Sequence, residues 1–153
     1  MKEINLTRGK VAIVDDGDFE KLNQHKWYCM ANGYAARTLQ PSHKNVYMHR
    51  IILGVDNGLE VDHINGNGLD NRRENLRICK HSQNGKNQTI PKNNTSGYKG
   101  VVWNRRDSNW TAAIKVDGKR KFLGNFSNPL EAAFAYGEAA VKYFGEFART
   151  NKK

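Results

Sequence analysis

The stretch EVDHINGNGLDNRRENLRI, residues 60–78, holds the residues best suited to chemistry. Asp62 and His63 stand side by side at the end of a short apolar run, and Asn75 and Asn84 follow. Mg²⁺ prefers oxygen ligands, and a neutral imidazole can take a proton from water near neutral pH. This set therefore suits hydrolysis of a phosphodiester, in which a metal neutralises charge on the phosphate while a base activates water.

Each of these residues has a role in that reaction. Asp62 offers a carboxylate to the metal, and Asn84 offers an amide oxygen from a following helix. His63 is the candidate base, and Asn75 is placed to hydrogen-bond across the loop and fix its shape. Strand alternation sends Asp62 and His63 to opposite faces, so a bend at the strand end must let both serve one site. The alternative is a loop whose amides only cap its own turns.

Composition narrows the class of protein. The 153 residues carry a net charge of +10, a sequence pI near 9.7 and 38% hydrophobic residues, which predicts a folded protein with a polyanionic partner. No apolar run approaches the ~18 residues of a membrane span, and no signal peptide is recognised. The two cysteines, Cys29 and Cys79, form no CxxC motif. We therefore expect a reduced intracellular location, no secretion and no zinc site.

The first 88 residues predict short hairpins and helices. Strand patterns indicate a hairpin over residues 3–15, a second hairpin turning at Asn32-Gly33, and a strand that closes as a helix at Gly54. A helical turn lies between the two hairpins. Strands at 59–64 and 75–79 and a polar helix at 80–88 then enclose the loop that holds the candidate site. The polar run 85–97, which contains Pro91, supplies a linker at 89–97.

The remaining segment predicts a small sheet packed on one helix. Strands are expected near 98–103, 109–116 and 119–125, with a tight turn at Asp117-Gly118. A helix at 129–144 is capped by Asn128 and ends at Gly145. The fold class is α+β, with a domain at 1–88, the linker and a second domain at 98–151.

The second domain carries a basic face. Residues 89–153 hold 12 Lys and Arg against 5 Asp and Glu, whereas residues 1–88 hold 13 against 10. The turn places Lys115 opposite Arg120, and like charges in that position are destabilising unless an anion covers them. Trp103, Arg105 and Arg106 extend this face, which suits binding to the major groove of DNA. The alternative is a solvated charged surface.

The stretch VDHINGNGLDNRRENLRICKHSQNGKN resembles the HNH nuclease motif in its homing-endonuclease variant, where asparagine replaces the last histidine. The resemblance implies a ββα-metal hairpin around one ion. It makes Asp62 and Asn84 the metal ligands, His63 the general base, and Asn75 the residue that orients the histidine and holds the loop. It assigns His49 and Arg50 a structural or phosphate-contact role and Asn87 a supporting one. Arg72, Arg73 and Arg77 are phosphate-contact candidates.

Residues 97–151 resemble the APETALA/ethylene-response-factor DNA-binding domain, through Y-x-GV, W-x-A-x-I, LG-x-F and EAA-x-AY-x-EAA. In that family a three-stranded sheet reads DNA. By match, the contact candidates are Lys99, Trp103, Arg105, Lys115 and Arg120, with Arg106 beside them. Val102 and Lys99 stand where plant members carry arginine, so base preference does not transfer.

Together the two resemblances imply a metal-dependent DNA endonuclease of the phage homing type, which would place it in the cytoplasm of a bacterial host. We expect one Mg²⁺ or Mn²⁺ ion, no zinc, double-stranded DNA as partner and a monomer or weak dimer. One active site per chain predicts nicking of one strand. A DNA-binding regulator that retains an inactive HNH scaffold is the alternative, and an RNA-binding protein is a weaker one.

Overall fold

The computed structural model describes residues 1–55, 58–88, 90–91 and 93–151. The chain forms two compact units, Met1–Asn84 and Gly85–Lys153. Several small antiparallel sheets and short helices give the α+β class that the sequence predicts. Within the described ranges, no helix has both the length and the apolar character needed to cross a membrane. Residues 89 and 92 of the predicted linker lie outside the described residues.

The first hairpin begins the N-terminal unit. Strand β1, Lys2–Asn5, pairs antiparallel with β2, Val11–Val14, across a 3-10 turn at Thr7–Gly9, as predicted. Helix α1, Asp16–Asn23, follows and has two turns where one was expected. Alternate residues of both strands face inward, and they bury their side chains with Leu22 of the helix.

The second hairpin is part of a three-stranded sheet of β3, Tyr28–Cys29, β4, Ala35–Leu39, and β5, Lys44–Tyr47. The predicted two-residue turn at Asn32-Gly33 is wrong. Met30 N donates to Tyr34 O, so three residues form the loop, and Gly33 N donates back to Met30 O. Gly33 alone takes a positive φ there, of 85°, which is the geometry of a three-residue hairpin ending in a glycine bulge.

The hairpin of the candidate site comes next. Helix α2, Met48–Leu53, ends at Gly54, which takes a φ of 63° as predicted for its position. Strand β6, Glu60–His63, pairs with β7, Leu76–Cys79, and helix α3, His81–Asn84, is shorter than the predicted 80–88. Both hairpins, α1, α2 and this hairpin share one core, formed by Ile4, Leu6, Ala12, Val14, Leu22, Trp27, Ala35, Met48, Ile52, Val61 and Leu76.

The C-terminal unit matches its predicted register closely. Strands β8, Val101–Asn104, β9, Asn109–Val116, and β10, Lys119–Phe126, form an antiparallel sheet, and helix α4 covers one face at Pro129–Phe144. Asp117 and Gly118 both have positive φ, as a tight hairpin turn requires. The Asn128 side chain caps the helix by accepting from Leu130 N at 2.8 Å.

Residues directly after α3 are held within the C-terminal unit. Lys99 Nζ donates to the backbone carbonyls of Lys86 and Gln88 at 2.9 and 2.8 Å. Arg149 Nη1 donates to the carbonyl of Asn87 at 3.5 Å. The units therefore divide after Asn84, four residues before the predicted boundary, because side chains from the second unit bind this stretch of backbone.

We predict that Gly68→Ala destabilises the N-terminal unit, because the loop passes close to Tyr34. An added Cβ would lie 2.6 Å from Tyr34 Cδ1 and 2.7 Å from the carbonyl oxygen of Gly33. Overpacking of this kind costs about 1–3 kcal/mol. Hydrogen exchange of the amides of residues 1–84 measures the loss. Gly17→Ala is the matched control, since nothing lies within 4 Å of its added Cβ; equal protection in both variants would contradict the prediction.

Candidate functional site

His63 lies at the end of β6 in a cluster of aromatic rings. Its side chain is 4% exposed, and its ring centroid lies 5.1 Å from that of His49 and 5.5 Å from that of Tyr34. Tyr47 stacks on His49 at 5.3 Å. Tyr34 lies in the loop that precedes β4, Tyr47 on β5 and His49 on α2. Residues of the second sheet and of its neighbouring segments therefore enclose the candidate base.

Burial keeps both histidines of this cluster neutral. Loss of solvent is the main reason that the pKa of His49 falls from 6.5 to about 3, and the nearby His63 and Arg50 contribute the rest of that change. Loss of solvent also lowers the pKa of His63, against the smaller raising effect of its hydrogen bond to Asn71 and of Asp62 and Asp70. An imidazole that stays unprotonated near neutral pH can accept a proton from water.

Asn71 is the hydrogen-bond partner that sequence reasoning missed. Its Oδ1 lies 3.4 Å from His63 Nε2, so in this orientation Nε2 carries the proton and Nδ1 carries the lone pair. Asn71 is fully buried, and its backbone N donates to Ile13 O on β2 at 2.8 Å. The first hairpin therefore fixes the residue that orients the imidazole. The loop contains four asparagines, and the sequence gives no means of selecting this one.

Asp62 directly precedes His63 on β6, is buried like it, and is paired across the hairpin. Arg77, its register partner on β7, donates from Nε and Nη2 to Asp62 Oδ2 at 2.9 and 2.6 Å. Sequence analysis left Arg77 between a phosphate contact and support of the strand. The structure places it against Asp62, where it holds the carboxylate in one orientation.

Asn84 is tied to the same strand through Glu60, two residues before Asp62. Its Nδ2 donates to Glu60 Oε2 at 2.6 Å, and His81 Nδ1 donates to Oε1 at 2.6 Å. The donation from Asn84 is the main cause of the lowered Glu60 pKa, followed by the one from His81. The carboxylate of Asp62 and the amide of Asn84 thus belong to one side of the hairpin.

This donor set suits a hard cation. The described residues contain no group of three or more His, Cys, Asp or Glu side chains able to hold a metal. Mg²⁺ does not require such a group, because it keeps several waters and takes only one or two carboxylates plus substrate phosphates. One carboxylate and one amide oxygen are consistent with that ion and not with a thiolate- or histidine-rich zinc centre.

Asn75 fixes the loop between β6 and β7, where it was predicted to hydrogen-bond. Its Nδ2 donates to Asp70 O at 2.8 Å and to Asn65 Oδ1 at 3.1 Å, and its Oδ1 accepts from Asn65 N at 3.0 Å. Asn65 Nδ2 in turn donates to Asp70 Oδ2 at 2.8 Å. The catalytic role assigned to Asn75 stays a prediction, and these contacts support a role in holding the loop.

The arginines of the loop between β6 and β7 form ion pairs with acidic residues of the same unit. Arg72 donates to both oxygens of Asp70, at 2.8 and 2.7 Å, and also pairs with Glu74. Arg73 donates to both oxygens of Asp18 on α1, each at 2.8 Å. Both arginines therefore brace the loop, and their predicted contact with DNA stays a prediction.

The predicted supporting residues have separate environments. His49 is 7% exposed among aromatic rings, which supports the structural part of its prediction. Arg50 Nη1 donates to Leu59 O at 3.0 Å, next to the start of β6. Asn87 is buried in the C-terminal unit, and its assignment as a supporting residue of the metal site stays a prediction.

The outer face of the C-terminal sheet presents cations around an exposed aromatic ring. Lys115 pairs directly with Arg120, and Ala113 with Phe122, as predicted from the turn. Phe122 is 65% exposed and was not singled out from the sequence, although an exposed phenylalanine beside cations on a polar sheet is itself a signal of a binding face. The pairing ends at Phe122, after which a bulge shifts the register.

The other predicted DNA contacts lie along the first strand and its turn. Trp103 is exposed and packs edge-to-face on Trp110, with ring centroids 5.1 Å apart. Arg105 and Arg106 are exposed in the turn, where Arg106 Nε lies 3.2 Å from Asp107 Oδ1. Lys99 is different: it is half-buried, it binds the two backbone carbonyls of the preceding segment, and burial lowers its pKa to about 8.

Comparison with known proteins supports both resemblances, to the HNH nuclease motif and to the APETALA/ethylene-response-factor domain. A family model described as HNH endonuclease matches residues 46–86, a range that spans α2, β6, β7 and α3. The chain is 36% identical over 97 residues to Protein 3.8 of Escherichia phage T7, covering 62% of this chain and 78% of that protein. It is 30% identical over 148 residues to an HNH endonuclease of Acanthamoeba polyphaga mimivirus, covering 95% of this chain and 76% of that protein.

A plant protein matches a smaller part of the chain. The chain is 44% identical over 63 residues to dehydration-responsive element-binding protein 2C of Arabidopsis thaliana, covering 40% of this chain and 18% of that protein. This match confirms the resemblance to the APETALA/ethylene-response-factor domain. With the viral match along nearly the whole length and the family match over the hairpin that holds Asp62, His63 and Asn84, the chain belongs to the HNH endonuclease family and is a nuclease.

Proposed function

We propose that the protein is a site-specific, metal-dependent endonuclease of the homing type that nicks one strand of double-stranded DNA. The observation that carries the proposal is the buried, neutral His63, held by Asn71 at the end of the strand that also bears Asp62. An unprotonated imidazole next to a carboxylate on one strand is the pair that metal-assisted hydrolysis of a phosphodiester requires.

Asp62 and Asn84 would hold Mg²⁺ or Mn²⁺ in this proposal. A divalent ion bound there supplies positive charge that stabilises the phosphate as negative charge develops on it. Arg77 keeps the Asp62 carboxylate in place through its two donations to Oδ2. His63 takes a proton from the attacking water through Nδ1, because Nε2–H is donated to Asn71.

The two units divide the work. The N-terminal unit performs the chemistry, and the sheet of the C-terminal unit binds duplex DNA through Lys115, Arg120 and the exposed ring of Phe122 on the same face. The net charge supports this division, since residues 89–153 carry 12 basic against 5 acidic residues. One site of this kind in a chain cuts one strand for each binding event, so a nick is the expected product. The homing assignment is supported by the two viral relatives.

We predict that His63→Ala lowers the rate of Mg²⁺-dependent cleavage by about 10²–10⁴-fold, the usual loss when a general base is removed. The measurement is conversion of a supercoiled plasmid that carries the bound sequence, with open circles expected before linear product.

His25→Ala is the control, because His25 is exposed and outside the site. Equal cleavage by His63→Ala would remove the base assignment. If the wild type and both variants bound DNA and none of them cleaved it, a DNA-binding regulator would be favoured. If linear product appeared at once, the prediction of nicking would be overturned.

We predict that the acid limb of the rate lies below pH 6.5. His63 works as a base only when neutral, and burial lowers its pKa from that ordinary value, so the rate holds as pH falls to 6.5 and drops only below it. Asn71→Asp places a carboxylate beside the ring, which raises the pKa and moves the limb upward. The pH dependence of kcat/KM at saturating Mg²⁺ measures both. A limb above pH 6.5 in the wild type, or one unmoved by Asn71→Asp, would contradict the assignment.

We predict that replacing Lys115 and Arg120 together with alanine weakens DNA binding and reduces the slope of log K against log salt by about 2, roughly one for each lost phosphate contact. Fluorescence anisotropy across a salt series measures it. Lys142→Ala is the control, because Lys142 is exposed near the end of α4, on the other side of the sheet. A slope unchanged by the double variant would place the DNA elsewhere.

A further inference from the structure

Glu60 joins the two segments that carry the proposed metal ligands. It stands two residues before Asp62 on β6, and both of its carboxylate oxygens accept hydrogen bonds. Oε2 accepts from Asn84 Nδ2 at 2.6 Å, and Oε1 accepts from His81 Nδ1 at 2.6 Å. The sequence does not single out Glu60, because an acidic residue at the start of a strand is ordinary.

The contact matters because an asparagine side chain has two different ends. Its carbonyl oxygen can bind a cation, whereas its NH₂ group is a donor that a cation repels. A rotation of 180° about the terminal bond exchanges the two with little change in shape. A metal site that uses asparagine therefore needs a third group that distinguishes oxygen from nitrogen.

Glu60 is such a group, because an ionised carboxylate accepts hydrogen bonds and cannot donate them. With Nδ2 held at Glu60, Oδ1 of Asn84 is directed away from that carboxylate. Helix α3 is only four residues long and follows β7 directly, so it offers little packing to fix the amide by itself. His81 braces the carboxylate although its own side chain is 94% exposed.

We propose that Glu60 is a positioning residue for metal binding, which selects the amide orientation of Asn84 that presents oxygen to the ion. This inference rests on the proposed metal-dependent function. The alternative role for Glu60 is that of a metal ligand itself, since each carboxylate oxygen has a second lone pair besides the one that accepts its hydrogen bond. Groups that orient metal ligands typically contribute 10–100-fold to affinity.

The test compares Mn²⁺ affinity in four proteins: wild type, Glu60→Gln, Asn84→Asp and the double variant. Electron paramagnetic resonance measures free Mn²⁺ and needs no catalytic turnover. Glu60→Gln keeps the shape but loses the obligate acceptor, so we expect about 10-fold weaker binding. Asn84→Asp presents oxygen in either orientation, so in that background Glu60→Gln should cost less than about threefold. Glu3→Gln, an exposed change of the same charge on β1, controls for the loss of one negative charge.

The outcomes separate this inference from the proposed function. Equal losses from Glu60→Gln in both backgrounds would show a direct ligand or a general electrostatic effect and would overturn the positioning role. No loss in either background would overturn it as well. Asp62→Asn is the reference for the site itself: Mn²⁺ binding that does not depend on Asp62 would overturn the proposed metal centre, and the role of Glu60 with it. Amide hydrogen exchange of residues 60–84 confirms that each variant is folded.

Discussion

The N-terminal unit is organised around one constraint, the burial of His63, the residue proposed as the base. Neighbours that take solvent away from an imidazole disfavour its charged form. Here the neighbours are the rings of Tyr34 and His49, and the hydrogen-bond partner is Asn71, which the first hairpin fixes through Ile13. The leading hairpins are therefore part of the construction of the proposed site and not accessories to it.

The arginines of this unit add little positive charge to its surface, because they form ion pairs with acidic residues of the same unit. Arg72, Arg73 and Arg77 would each add to an attractive surface if they faced solvent alone. Instead they bind Asp70, Asp18 and Asp62, respectively. A metal centre needs negative charge nearby and a DNA-binding surface needs positive charge, and one small unit cannot easily serve both. Placing Lys115 and Arg120, the cations proposed to contact DNA, on a separate sheet avoids that conflict.

The sequence predicts features that depend on local spacing and misses those that depend on contacts between distant segments. The Asp117-Gly118 turn alone fixes which residues of β9 and β10 face each other, and that register is correct. The sequence predicts a two-residue loop at Gly33, whereas the structure has three residues there. The difference arises because the loop geometry depends on the φ of Asn32, which composition does not reveal. Asn71 and the partner of Arg73 were unpredictable for another reason, since Ile13 and Asp18, which hold them, are far away in the chain.

The proposed centre has little net charge of its own, and this has a consequence for binding. Asn84 is neutral, Asp62 already faces Arg77, and Glu60 is engaged by two donors. Such a site attracts Mg²⁺ weakly by itself, because the ion prefers its water shell unless further anionic oxygens replace part of it. A DNA phosphate is an oxygen ligand of that kind. Since coupling between two ligands is reciprocal, an ion bound at the proposed centre would strengthen DNA binding there as much as the phosphate would strengthen binding of the ion.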